Sequence, residues 1–464
     1  MSWDGLSRFG LVRSLGTPPR MRALSTKRPT VLCVLDIGTA KVCCIVARLT
    51  PRATPGLLPG RTHKVEVLGL GHQRSEGVKS GVIVDIEKAE GAIRQAVAAA
   101  ERAASVTVDS LIVNVSCGRI GSRAYGAQIE MAGREIEGAD IRAVLRNGAA
   151  EAADDPARIV LHSLPVGYSL DGEKEIRDPR GMAAERLGVD MHVVDAEAAP
   201  ARNLEIAVNR AHLSVEAMVA TPFASGLAAL VEDEAQLGCA CIDMGAGTTT
   251  VSVFLHGRFV WTDAIAVGGA HVTTDLARGL STRLEDAERL KVLHARVALP
   301  GVGTDARTDM DIVNVPPMSD EPSDPSVAVP RSHLDAIVTP RVEETFELVR
   351  DRLVRSGFAE AIGGRVVLTG GASALPGVAG AAERILCAQV RLGRPLGVSG
   401  MPQAAKGPAF AAATGLLIYP QVAGYEEFAQ GAPVRIAPAK VAAAGTGAAM
   451  RGRLARMGAW LKTI

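Results

Sequence analysis

Two short turns carry the residues best suited to chemistry in this sequence, Asp36-Ile-Gly38-Thr39 and Asp243-Met-Gly245-Ala-Gly247-Thr248, placed 207 residues apart. Each lies between apolar runs, so each is expected to close a strand-turn-strand hairpin. A carboxylate at such a strand end can hold Mg²⁺ through its waters, because magnesium dehydrates reluctantly. The glycines beside it let backbone N–H groups come close to polyphosphate, and Lys41 can neutralise phosphate charge. A single Asp-x-Gly turn commonly does no more than cap a strand. Two of one design imply halves of similar build facing one cleft. A third turn, in Val366-Val-Leu-Thr-Gly370-Gly371-Ala372, ends a buried strand in two glycines, a shape on which a purine and ribose can lie flat.

These turns need scaffolding, and the sequence supplies it as alternating strands and helices. Val31 to Gly38 and Lys41 to Leu49 form the first hairpin. A Pro/Gly-rich loop follows, then a strand near Val65 to Leu70. An alanine-rich helix runs to Ala104 with Asp85 as its N-cap, and Leu111 to Val115 is again a strand. Residues 117 to 193 shift to short strands and one polar helix, the pattern of a small inserted subdomain. Helices are expected over Ala198 to Val208, Ala224 to Glu232, Thr273 to His294 and Ser332 to Arg355, with Pro340 marking a kink or a helix start. Residues 297 to 330, rich in Gly, Pro, Asp and Ser, read as a long loop.

The 464 residues suit about three domains. With 51 Lys plus Arg against 50 Asp plus Glu there is no global field to hold nucleic acid. The seven cysteines include no CxxC pair, which excludes a disulfide framework or zinc site as the organising feature, and those in apolar runs read as small buried hydrophobes of a reduced cytoplasmic protein. No run of about 18 apolar residues offers a spanning helix. Residues 1 to 29 read as a disordered basic arm, with Met21 as a rival start.

After Ile418 periodicity is lost until Met450, which reads as a flexible tether. Met450, Leu454, Met457, Leu461 and Ile464 then recur at spacings of 4, 3, 4 and 3, with Trp460 beside the stripe. Arg451, Arg453, Arg456 and Lys462 occupy the other faces, and no acid occurs in the segment. Such a basic amphipathic helix is either packed on the body or laid into an anionic membrane surface. The long tether and one-signed charge favour the membrane.

The order DIGTAKV (36 to 42), DMGAGTTTVSVF (243 to 254), VGGAHVTTDLARGLSTRLEDAERLKVLHA (267 to 295) and VVLTGGASALPGV (366 to 378) resembles the actin-like ATPases and, among them, the bacterial cell-division family FtsA. The resemblance spans about residues 31 to 420 plus the tail. It implies an α/β fold of the actin, Hsp70 and sugar-kinase type, with duplicated domains around a nucleotide cleft. ATP and Mg²⁺ would be bound through Asp36, Gly38, Thr39, Lys41, Asp243, Gly245, Gly247, Thr248, Glu288, Lys291, Gly370, Gly371 and Ala372, with Asp36 and Asp243 holding the metal through water.

It also implies a domain plan. Residues 31–112 and 194–220 form the first large domain, 113–193 the inserted subdomain, 221–270 and 364–420 the second large domain, and 271–363 a small lobe. A linker (421–448) and a membrane helix (449–464) would complete the chain, with Met450, Arg453, Leu454, Arg456, Met457, Trp460, Leu461 and Ile464 meeting lipid. The implied partners are the C-terminal peptide of the tubulin-like FtsZ, met through Arg341 and His333, further copies in filaments, and later division proteins met through the insert. The place is the cytoplasmic face of the bacterial inner membrane. Where Hsp70-like proteins carry Glu-Pro at the domain crossing, this chain has Ala220-Thr221-Pro222, which argues for at most slow hydrolysis. The alternatives on the same fold are a type IV pilus assembly protein and a sugar or small-molecule kinase.

Overall fold

A computed structural model describes residues 19–21, 24–53, 60–116, 119–150, 155–298, 311–319 and 325–426. The membrane-helix residues and most of the tether expected above lie outside them. So do most of the N-terminal arm and part of the loop over 297 to 330.

Two sheets repeat one plan. In the first, strand Thr30–Ile37 pairs antiparallel with Lys41–Pro51 and parallel with Ser110–Val115. In the second, Cys239–Met244 pairs antiparallel with Thr249–Leu255 and parallel with Arg365–Thr369. These central strands are nearly continuous runs of buried residues because helices cover the sheets. One such helix, Ile86–Ala104, turns Ala89, Ala92, Ile93, Ala96, Val97 and Ala100 inward at helical spacing. Asp85 caps it, accepting the Lys88 N–H at 3.1 Å, an interaction worth about 1 kcal/mol. The helix packs on strand His63–Arg74 of the first sheet.

Between the halves of the first domain the chain builds a separate four-stranded antiparallel sheet, from Gly121–Glu130, Arg158–Leu170, Glu173–Ile176 and Arg186–Glu197, backed by helix Gly138–Ala150. This sheet has its own small core around Met131, Ile136, Val144 and Leu187. Strand Ser110–Val115 stays in the first sheet and Arg186–Glu197 stays in the inserted one, so the insert's edges fall a few residues later than 113 and 193.

A buried relay fastens the insert to the second sheet. Thr262 N–H donates to Ser122 Oγ at 2.6 Å, Ser122 O–H donates to His192 Nε2 at 2.7 Å, and His192 Nδ1–H donates to the Phe259 carbonyl at 2.8 Å. Burial pushes the His192 imidazolium down to about 3, so the ring is neutral and fits these roles.

The C-terminal part differs from the domain plan read from sequence. Val398–Ser399 pairs with strand His63–Arg74, and helix Ala411–Ile418 packs on the first sheet and on helix Thr221–Ala229. Residues from about 398 therefore close back on the first half, a long-range docking that no local pattern announces. Of residues 421–426, expected in the linker, Gln421 and Glu426 are buried on the body while Gly424 and Tyr425 are exposed. Glu426 Oε1 accepts from His162 Nδ1 at 2.9 Å, and His162 Nε2 accepts the Ala220 N–H at 2.9 Å, with both side chains buried. Pro340 lies inside the helix Arg331–Ser356 rather than at its start.

Candidate functional site

The hairpin turns are alike in atomic detail. Gly38 N–H donates to the Lys41 carbonyl at 2.9 Å, and 207 residues on, Gly245 N–H donates to the Thr248 carbonyl at 2.9 Å. Both turns face one cavity of about 520 Å³. Their approach is close, since a Cβ on Gly247 would run into Thr39 Oγ1 and lie 2.7 Å from Ser80 Cα. Helix Gly269–Gly279 starts on the second turn, with Gly269 and Ala270 donating to the Gly245 and Ala246 carbonyls at 2.9 and 2.8 Å.

Every residue named from the sequence for nucleotide lines this cavity: Asp36, Gly38, Thr39, Lys41, Asp243, Gly245, Gly247, Thr248, Glu288, Lys291, Gly370, Gly371 and Ala372. At one side Lys291 Nζ lies 2.6 Å from Glu288 Oε2 and 2.9 Å from Thr273 Oγ1. Elsewhere on the wall, Lys41 Nζ rests 3.4 Å from Asp36 Oδ2, 2.5 Å from the Ala409 carbonyl and 4.0 Å from the Phe410 ring centre. The Lys41 ammonium must exchange these partners for a phosphate if it is to neutralise one.

Asp36 and Asp243 are both nearly buried. Burial, reinforced by the charge of Asp36, pushes the Asp243 carboxyl up to about 6, against the opposing pull of the Ser225 hydroxyl and of Lys41. Among the described residues the cation paired with these two acceptor-only carboxylates is Lys41, on Asp36, an arrangement that fits a hydrated divalent ion. Among the described residues no group of three or more His, Cys, Asp or Glu side chains gathers to hold a bare metal. Mg²⁺ would be held here by Asp36 and Asp243 through its waters, and would supply charge neutralisation for the phosphates.

An Asp243→Asn substitution removes the like-charge conflict at this floor. The raised carboxyl means that the folded chain binds a proton more tightly than the unfolded chain, so ligand-free stability from this group rises as pH falls through about 6. Asparagine is expected to give that gain at neutral pH, about 2 kcal/mol or less, raising the ligand-free unfolding midpoint by a few degrees. It is expected to abolish the extra rise produced by ATP with Mg²⁺. Calorimetry with and without both ligands checks the two signs.

Several lining residues escaped the sequence reading. His72 and Ser116 carry no local signal. Asn114 lies one residue before the end of a strand that the sequence did show, and it organises the floor. Its Oδ1 accepts the Ile37 N–H at 2.7 Å, and its Nδ2 donates to Thr221 Oγ1 at 3.2 Å. Thr250 sat within a quoted motif without being singled out. Of the residues named for partner contact, His333 is exposed, whereas Arg341 is held by Asp275, with Nε 2.6 Å from Oδ2, and by Glu344.

Residues 240–415 match the family model "Cell division protein FtsA", and residues 118–195 match "SHS2 domain inserted in FTSA". The cell division protein FtsA of Agrobacterium fabrum is 56% identical over 463 residues, covering 100% of this chain and 99% of its own length. The chain belongs to the FtsA family. FtsA of Rhizobium meliloti is 55% identical over 464 residues, covering 100% of this chain and 99% of its own length. Among solved structures, a PilM-PilN type IV pilus biogenesis complex matches with TM-score 0.57 at 15% identity, covering 84% of this chain and 98% of that one. That likeness is one of fold. The FtsA chain thus has the actin-like α/β architecture with the family's inserted subdomain, and it is a cell-division protein. Among its described residues no helix is long and apolar enough to cross a membrane.

Proposed function

We propose that this chain binds ATP with Mg²⁺ in the cleft between its two halves, and that the nucleotide-bound state polymerises and tethers an FtsZ ring to the cytoplasmic face of the inner membrane. The observation that carries the reading is the convergence of both Asp-x-Gly turns and the Thr369-Gly370-Gly371 turn on one cavity. ATP favours the closed cleft because it binds both turns at once, and a ligand shifts a protein toward the state it binds better. The basic stripe from Met450 to Ile464 supplies one weak, reversible anchor per copy, and a filament multiplies it by avidity. Arg341 and His333 on the small lobe meet the FtsZ C-terminal peptide, with Asp275 fixing the Arg341 fork in place. The insert, with a core of its own, offers a surface to later division proteins. Hydrolysis is at most slow, because Thr221 stands at the crossing where a carboxylate base would be needed.

The pilus-assembly and sugar-kinase readings share the fold, but family membership favours the division reading. Electron microscopy of the purified chain on anionic lipid monolayers tests it. Filaments are expected with ATP and Mg²⁺ and not without nucleotide. An absence of filaments, or filaments indifferent to nucleotide, overturns the proposal.

A further inference from the structure

We infer that the Thr250 hydroxyl is a hydrogen-bonding ligand of the hydrated divalent cation that accompanies the nucleotide, a role that rests on the nucleotide reading of the cleft. Thr250 is 2% exposed, and its Oγ1 has no hydrogen-bond partner. Among the described residues it is the one buried, unpartnered side-chain polar atom whose residue also lines the cavity. A hydroxyl stripped of water and left unpaired destabilises a fold, so its retention calls for a partner that arrives from outside.

Register says where that partner sits. Thr250 lies directly opposite Asp243 in the second hairpin, so both side chains leave the same face of the sheet. The first hairpin is an internal control. There the residue opposite Asp36 is Cys43, again 207 positions earlier, and it is wholly buried. The fold is therefore satisfied at this position by a side chain that bonds weakly, and the Thr250 hydroxyl is not needed to build the hairpin.

The chemistry of the floor selects a metal-bound water. Asp36 and Asp243 only accept hydrogen bonds when ionised, and Thr221 Oγ1 already accepts from Asn114. Thr250 has both lone pairs and its proton uncommitted. It can accept a hydrogen bond from a water of the Mg²⁺ hydrate, and magnesium keeps such waters when it binds phosphates.

The test is ATP binding by the full chain, measured by titration calorimetry in Mg²⁺ and in EDTA, for the wild type, Thr250→Val and Thr250→Ser, together with the ligand-free unfolding midpoint. Valine keeps the shape and removes the hydroxyl. It is expected to weaken binding in Mg²⁺ roughly ten-fold, the loss of one hydrogen bond to a charged assembly. Binding in EDTA should be unchanged and the ligand-free midpoint should not fall, while serine should behave as wild type. Wild-type affinity for the valine variant in Mg²⁺ overturns the inference. So does a loss of equal size in EDTA, or a lowered midpoint shared by both variants, which would make the position structural. If the wild type itself fails to bind ATP in either buffer, the nucleotide reading falls and takes this inference with it. Wild-type binding with an unaffected valine variant removes Thr250 alone.

Discussion

A Gly370→Ala protein is expected to fold and to lose ATP by at least about 100-fold in affinity, or about 2.7 kcal/mol. Gly370 sits at φ +85°, where a side chain is strained by roughly 1–2 kcal/mol. A Cβ there would also run into Asp243 Oδ1 and lie 2.5 Å from the Met244 carbonyl. Relief requires the turn to swing away from the second hairpin, and Gly371 and Ala372 move with it out of the cavity wall. The neighbouring Gly371→Ala change is the control. Its Cβ would meet only the Ala409 methyl at 3.7 Å, in ordinary contact, and the loss should be far smaller. Titration calorimetry on both variants decides the matter, and equal affinities would remove the third turn from the nucleotide seat.

Deleting Met450 to Ile464 is expected to abolish co-sedimentation with anionic liposomes while ATP affinity stays at the wild-type value. The segment holds four basic residues and no acid. With about 1 kcal/mol from each cation near an anionic surface, plus burial of the apolar stripe, it accounts for the attraction the rest of the chain lacks. The remainder, with 47 Lys plus Arg against 50 Asp plus Glu, is net acidic and offers no such attraction. Undiminished sedimentation would refute the anchor. Loss of ATP binding along with it would show that the segment serves the body rather than the membrane.

The cleft was legible because its chemistry is written locally. A strand, a glycine turn and a second strand fix where Asp36 and Asp243 point, and the repeat at an offset of 207 residues announces that the two are partners. What stayed hidden depends on contacts between distant segments. Nothing around Asn114 marks it as the residue that holds Thr221, because the two are brought together only when strand Ser110–Val115 pairs with Ser214–Ala220. The return of residues 398 to 418 to the first half is equally silent, since an apolar helix such as Ala411–Ile418 fits either core by composition. Arg341 was readable as a surface cation but not as one committed to Asp275, which lies 66 residues away on another helix. Residues 421–426 were read as linker for a similar reason. Glu426 reads as a solvated acid until His162 of the insert is set beside it.

That last contact governs how the body would bear a mechanical load. A force applied at Glu426 would be delivered to a wholly enclosed imidazole that also accepts the main-chain N–H of Ala220, one residue before the segment that leads from the first sheet to the second. Glu426 is thus fixed, through His162, to the end of the first-sheet strand Ser214–Ala220. Such a force is therefore expected to reach the insert and the first sheet together, through one buried ring.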